Sequence, residues 1–97
     1  MSERSDLLLL KDILASIQYI KDFVAGLSFE QYDADLKVKH AVERNFTIIG
    51  EAASKLSSEF RYTYSYLEWR KIIGFRNILV HDYMGIDSSV VWEIIQY

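Results

Sequence analysis

The stretch YLEWRKIIGFRNILVHDYM, residues 66–84, decides the reading of the fold. It carries no proline and no cluster of turn residues, and Gly85 follows it as a stop. Ser65 and Glu68 have the spacing of a capping box, with Tyr64 and Trp69 placed as a hydrophobic staple. These signals predict a helix from about Tyr66 to Met84. With Arg76 set at zero and about 100° per residue, Ile72, Phe75, Ile78 and Leu79 gather between about 200° and 320° as a core stripe. Trp69, Ile73, Val80 and Tyr83 fall within roughly 60° of Arg76, with Asn77 and His81 at about 100° and 140°. A single chain needs one apolar face, and this helix has two. Trp69, Ile73 and Val80 are therefore expected to be buried by a second copy of the chain.

The segments on either side read the same way. Ninety-seven residues with four glycines and no proline let long helices run without breaks. A first helix is expected from Ser5, as N-cap, to Ala25, stopped by Gly26, with Leu10, Ile13, Ile17, Ile20 and Val24 as its apolar stripe. Ser28 and Gln31 form a capping box for a short turn of helix over 29–33. A second long helix is expected from about Asp35 to Ser57, striped by Val38, Val42, Phe46, Ile49, Ala53 and Leu56. In it Gly50 and Ala53 are small enough to let another helix backbone approach. Arg44 and Glu51, seven apart, share a face, either as a salt bridge or as support for a site. Residues 58–64 read as an irregular connector, and Asp87 or Ser88 caps a last helix. The prediction is a single all-α domain over residues 1–97, a four- to five-helix antiparallel bundle.

The chain is acidic, with net charge −3, which argues against a protein that coats nucleic acid. The charge is uneven, however: from Arg61 to His81 the charged residues are Arg61, Arg70, Lys71 and Arg76 against Glu68 alone. No cysteine is present, so disulfides and thiolate metal sites are excluded. His40 and His81 are the two histidines, and neither has a carboxylate at ligand spacing, so no metal is expected. The polar start and the lack of a long apolar run predict a cytoplasmic protein with no membrane contact.

Arg76, Asn77, His81 and Tyr83 suit phosphoryl chemistry. Arginine offers a planar fork of donors to phosphate oxygens and stays charged. Histidine exchanges a proton near neutrality. Asn77, four residues before His81, is placed to orient the ring or the substrate. Each has a plainer reading: a surface arginine, a helix-terminal histidine opposing the dipole, a tyrosine that only packs. One histidine cannot conveniently be acid and base at once, but two copies across a two-fold axis can divide those roles.

The run Arg76-Asn77-Ile78-Leu79-Val80-His81-Asp82-Tyr83 resembles the signature of the HepT-like branch of the HEPN superfamily: Arg, four to six residues, His, one residue, Tyr. Ala41 to Asn45 with Ile49 to Ala52, Trp69 to Asn77, and Ile86 to Trp92 resemble the flanking helices of that family. The resemblance implies a dimeric bundle with Arg76 and His81 of both copies in a shared cleft. It implies metal-independent RNA cleavage by the ribose 2′-hydroxyl and no resident cofactor. It also implies a toxin–antitoxin pairing, in which a minimal nucleotidyltransferase antitoxin uses ATP to place AMP on the tyrosine matched by Tyr83. The alternative is a non-catalytic HEPN module that binds nucleotide or serves as adaptor to the nucleotidyltransferase, which the acidic charge favours; a purely structural helical dimer is the third reading. Family chains usually continue beyond the first turns of the last helix, whereas this sequence stops at Tyr97.

Overall fold

A computed structural model describes residues 3–81 and 87–96, with the backbone alone described for residues 3, 4 and 77–81. Six helices follow one another among these residues: α1 (Glu3–Val24), α2 (Phe29–Ala34), α3 (Leu36–Lys55), α4 (Ser58–Thr63), α5 (Trp69–His81) and α6 (Ser88–Gln96). There is no strand among them, and the all-α expectation holds. No helix of the described residues is long and apolar enough to cross a membrane.

Local chemistry sets the helix ends. Gly26 turns the chain out of α1 at φ +77°, a left-handed conformation that other residues rarely adopt. Ser28 Oγ then accepts the Gln31 N–H at 3.2 Å while Gln31 Oε1 accepts the Ser28 N–H at 2.9 Å, the expected capping box. Asp35 caps α3 through Val38 N–H at 3.1 Å. Asp87 caps α6, its Oδ1 taking the Ser89 N–H at 2.9 Å and hydroxyl at 2.7 Å; those bonds hold its carboxyl below the usual range.

Helix α3 is the shared partner: it packs along both α1 and α5, while α2 braces against α3 and α6. Two clusters form the core. One gathers Ile13, Ala52, Ala53 and Leu56, with Leu9, Phe60, Trp69, Ile72 and Ile73 packed on it. The other gathers Ile20, Tyr32, Val42 and Val91, with Phe46, Phe75 and Trp92 packed on it. Tyr32 is fully buried against the Trp92 ring at 5.1 Å, and its hydroxyl has no hydrogen-bond partner. Burial first, and the Glu43 and Asp33 charges second, push its pKa up to about 12.

Three expectations are corrected. Helix α1 begins at Glu3, so Ser5 lies inside it, and Ile17 is exposed while Ser16 is buried. The rotation of α1 turns Asp6 inward, where its carboxylate accepts the Ser57 N–H at 2.9 Å and the Ser57 hydroxyl at 2.6 Å. Those two bonds lower the Asp6 pKa. Second, residues 58–63 are helix, not irregular connector. Ser57, held by Asp6, caps α4 through the Phe60 N–H at 3.1 Å. Third, α5 starts at Trp69. The Ser65–Glu68 box does not form. Instead the Glu68 carbonyl accepts the Lys71 and Ile72 N–H groups, and its carboxylate pairs with Lys71 at 3.0 Å.

Candidate functional site

Helices α3 and α5 run antiparallel, with Phe75 edge-on to Phe46 at 5.3 Å and Arg76 lying over Gly50. A Cβ added at Gly50 would collide with Cβ of Arg76, sit 2.8 Å from its Cγ and 3.3 Å from the Ile72 carbonyl oxygen. The close approach expected of the Gly50–Ala53 pair is thus realised, and it is realised at Arg76. The arginine is half-buried in the seam between the two helices. Its Nε is buried with no hydrogen-bond partner, and no carboxylate pairs with it among the described residues. A buried cationic N–H left without an acceptor is costly, so the seam presents a donor with unmet demand.

The two-faced reading of this helix needs revision. Trp69 and Ile73 pack on the same cluster as Ile72, and Phe75 packs on the other cluster. With Arg76 at zero, these residues cover a continuous arc of about 160°, and Arg76 sits within it. The missing side chain at Gly50 lets α5 settle low enough for that whole arc to meet the core. Trp69 and Ile73 are therefore half-buried by their own chain, leaving only their outer surfaces for a partner.

Asn77 and His81 continue along α5 at about 100° and 140° from Arg76, toward the outer side of the helix, in register with Arg70 and Gly74. Arg70 is exposed, and a Cβ at Gly74 would meet nothing within 4 Å. The side chains of Asn77, Val80 and His81, and all of Tyr83, lie outside the described residues. Arg44 and Glu51 do share a face of α3, both exposed and without a salt bridge between them. That face lies about 100° to 120° round from Gly50, away from Arg76. Residues on the Gly50 side are instead Glu43 and Thr47, whose hydroxyl donates to the Glu43 carbonyl at 3.0 Å. In the antiparallel register Glu43 lies alongside the part of α5 that leads to His81. Sequence reasoning missed it; the signal was available, since Glu43 is seven residues before Gly50. Among the described residues no three His, Asp or Glu side chains come together to hold a metal ion.

Comparison with known proteins covers nearly all of the chain. Residues 13–97 match the family model described as Ribonuclease HepT-like. "Putative RNase MJ1380" of Methanocaldococcus jannaschii is 33% identical over 96 residues, 99% of this chain and 88% of that protein. "Putative RNase TTE0752" of Caldanaerobacter subterraneus is 37% identical, over 89% of this chain and 77% of its own length. "Probable ribonuclease HepT" of Thermococcus cleftensis is 33% identical, over 90% and 79%. No solved structure matches the chain.

Proposed function

The chain belongs to the HepT-like ribonuclease family, and from that premise we propose that it is a metal-independent endoribonuclease, the toxin of a toxin–antitoxin pair. The observation that carries the reading is Arg76, half-buried over Gly50 with an unpartnered Nε, five residues before His81 on one helix. A guanidinium held that way is preorganised for a phosphate that gains charge in the transition state.

In this reading a homodimer forms along α5, using the open surfaces of Trp69 and Ile73 together with Val80. It brings the two Arg76–His81 sets into one cleft. One His81 takes the proton of the ribose 2′-hydroxyl as its oxygen attacks the adjacent phosphorus. The P–O5′ bond breaks, the other His81 protonates the leaving oxygen, and a 2′,3′-cyclic phosphate remains. Arg76 stabilises the charge on the non-bridging oxygens, and Asn77 orients the imidazole or the RNA.

Silencing belongs to Tyr83. Its phenolic oxygen attacks the α-phosphate of ATP on a minimal nucleotidyltransferase, pyrophosphate leaves, and the attached AMP fills the cleft with a negative charge that Arg76 binds in place of RNA. Tyr83 is seven residues after Arg76 and two after His81 in the sequence, and lies outside the described residues. The test is cleavage of RNA by purified chain in the presence of EDTA. Arg76→Ala and His81→Ala should each cut the rate by about 10²–10³ with the fold kept. Cleavage that survives both substitutions, or that EDTA abolishes, overturns the reading. Mass spectrometry after incubation with the nucleotidyltransferase and ATP should show added AMP, absent from Tyr83→Phe.

A further inference from the structure

The corner between α4 and α5 has a composition that turns do not ordinarily have. Tight connections favour Gly, Asn, Asp and Ser, yet here the last residues of α4 and the first of the connection, 61 to 66, read Arg-Tyr-Thr-Tyr-Ser-Tyr. Tyr62 is 84% exposed and Tyr66 77% exposed. Tyr62 stands on the last turn of α4, and Tyr66 has a ring behind it. Tyr64 stacks obliquely on Phe60 at 4.8 Å and meets Tyr66 edge-on at 6.2 Å, so Tyr66 is braced from behind while its other surface is bare. The Trp69 indole N–H donates to the Tyr64 carbonyl at 3.2 Å, and Phe60 lies edge-on to Trp69 at 6.3 Å. The corner is thereby pinned to the first turn of α5, the helix that carries Arg76.

Charged residues flank those rings in the sequence: Arg61, Arg70 and Lys71, with Glu59 and Glu68 as the carboxylates. Arg61 and Arg70 flank the corner, and neither pairs with a carboxylate among the described residues; Lys71 is taken up by Glu68. The chain as a whole carries −3 and repels a polyanion. An acidic ribonuclease needs a local device to hold its substrate, and two arginines without an ion pair, close in sequence to bare aromatic rings, can serve as one. Every base has a π-face to stack on, and the backbone phosphates meet the guanidinium groups.

We propose that the α4–α5 corner is a docking platform for single-stranded RNA, with Tyr62 and Tyr66 stacking unpaired bases and Arg61 and Arg70 holding the intervening phosphates. Arg70 shares the outer register of α5 with Asn77 and His81, about 10 and 16 Å further along the helix. RNA held at the corner is thus led along α5 toward the cleft. The proposal rests on the ribonuclease reading for its substrate, but it assigns binding to residues outside the Arg76–His81 set. It predicts that the enzyme selects unpaired segments, because stacked duplex bases offer no free face to a tyrosine.

The test is fluorescence anisotropy of the full chain with a labelled 2′-O-methyl RNA of about ten nucleotides, which lacks the attacking hydroxyl and lies within the usual span of single-strand sites. Tyr62→Ala and Tyr66→Ala should each weaken binding about fivefold or more, whereas Tyr62→Phe and Tyr66→Phe should bind like the wild type, since stacking needs the ring and not the hydroxyl. Arg70→Ala should reduce the slope of log K against log salt by about one. Equal binding by wild type and both alanine variants, or no binding by the wild type, overturns the platform. So does an alanine effect seen only in sedimentation, which would make the corner a contact between copies of the chain. The two readings fail separately. Alanine variants that lose binding in a chain that never cleaves RNA would keep the platform and remove the nuclease. His81-dependent cleavage with unchanged binding would do the reverse.

Discussion

Replacing Gly50 by alanine and, separately, Gly74 by alanine puts the same methyl group on two facing helices and should change stability in opposite directions. At Gly74 the new Cβ meets nothing within 4 Å. Only helix propensity acts, and alanine there should stabilise by about 0.5–1 kcal/mol. At Gly50 the same propensity gain is opposed by a collision with Cβ of Arg76, a 2.8 Å approach to its Cγ and a 3.3 Å approach to the Ile72 carbonyl oxygen. Neither Cβ nor a helical carbonyl can swing aside as a side-chain tip can, so α5 must lift from α3. Overpacking of this kind costs about 1–3 kcal/mol. Set against about 1 kcal/mol of propensity, the net is a loss of up to about 2 kcal/mol for Gly50→Ala. At roughly 4–8 °C per kcal/mol for a domain of this size, the two variants should be separated in Tm by several degrees or more, wild type lying between them. Thermal and urea denaturation of the three proteins decide it. A Gly50→Ala chain at least as stable as the wild type would refute the seam, and with it the seating of Arg76.

Other outcomes follow from the buried polar groups. Asp6→Asn should destabilise the chain at neutral pH, and because the folded Asp6 pKa is lowered, its contribution is present above the unfolded value, about 4, and lost as pH falls through the folded one. The wild-type and Asp6→Asn urea midpoints should therefore converge on acidification, and a constant gap between them would contradict the Ser57 bonds. Tyr32→Phe should be neutral or stabilising, since it deletes a buried hydroxyl with no partner. It should also remove a loss of stability between about pH 10 and 12, where the unfolded phenol ionises and the folded one, raised to about 12, does not. A Tyr32→Phe chain that melts well below the wild type would mean that the hydroxyl is bonded after all. Sedimentation at micromolar concentration should show a dimer that Val80→Asp dissociates; a wild-type monomer would remove the shared cleft.

Local rules of chain chemistry were legible wherever one residue settles the outcome. Gly26, the Ser28–Gln31 box and Asp87 all act where their spacing says they should. They do so because each satisfies backbone groups within four residues and needs nothing from the rest of the fold. Where two local signals competed, spacing alone did not choose between them. Ser65 and Glu68 had the spacing of a cap, but the Trp69 indole bonds the Tyr64 carbonyl and Glu68 turns to Lys71, which moves the start of α5 to Trp69. Helix α4 escaped because its cap, Ser57, is held by a carboxylate 51 residues away, beyond any local window. The candidate site was legible as residue types and only in part as geometry. Arg76 was placed on a second apolar face awaiting another copy of the chain; the glycine opposite it on α3 is what admits it to the seam within one chain.

Helix α3 lies between α1 and α5, whereas α5 leans on α3 along one side. That asymmetry sets an order of opening. Amides of α3 should exchange with deuterium only on global unfolding, because releasing them disrupts both neighbours. Those of α5 can exchange through a smaller excursion in which the helix detaches from an intact α1–α3 pair. The element bearing Arg76 then opens more readily than α3, the helix that seats it. Anything that grips it, whether RNA, a second protomer or an attached nucleotide, would register as slowed exchange in α5 before any change reached α3.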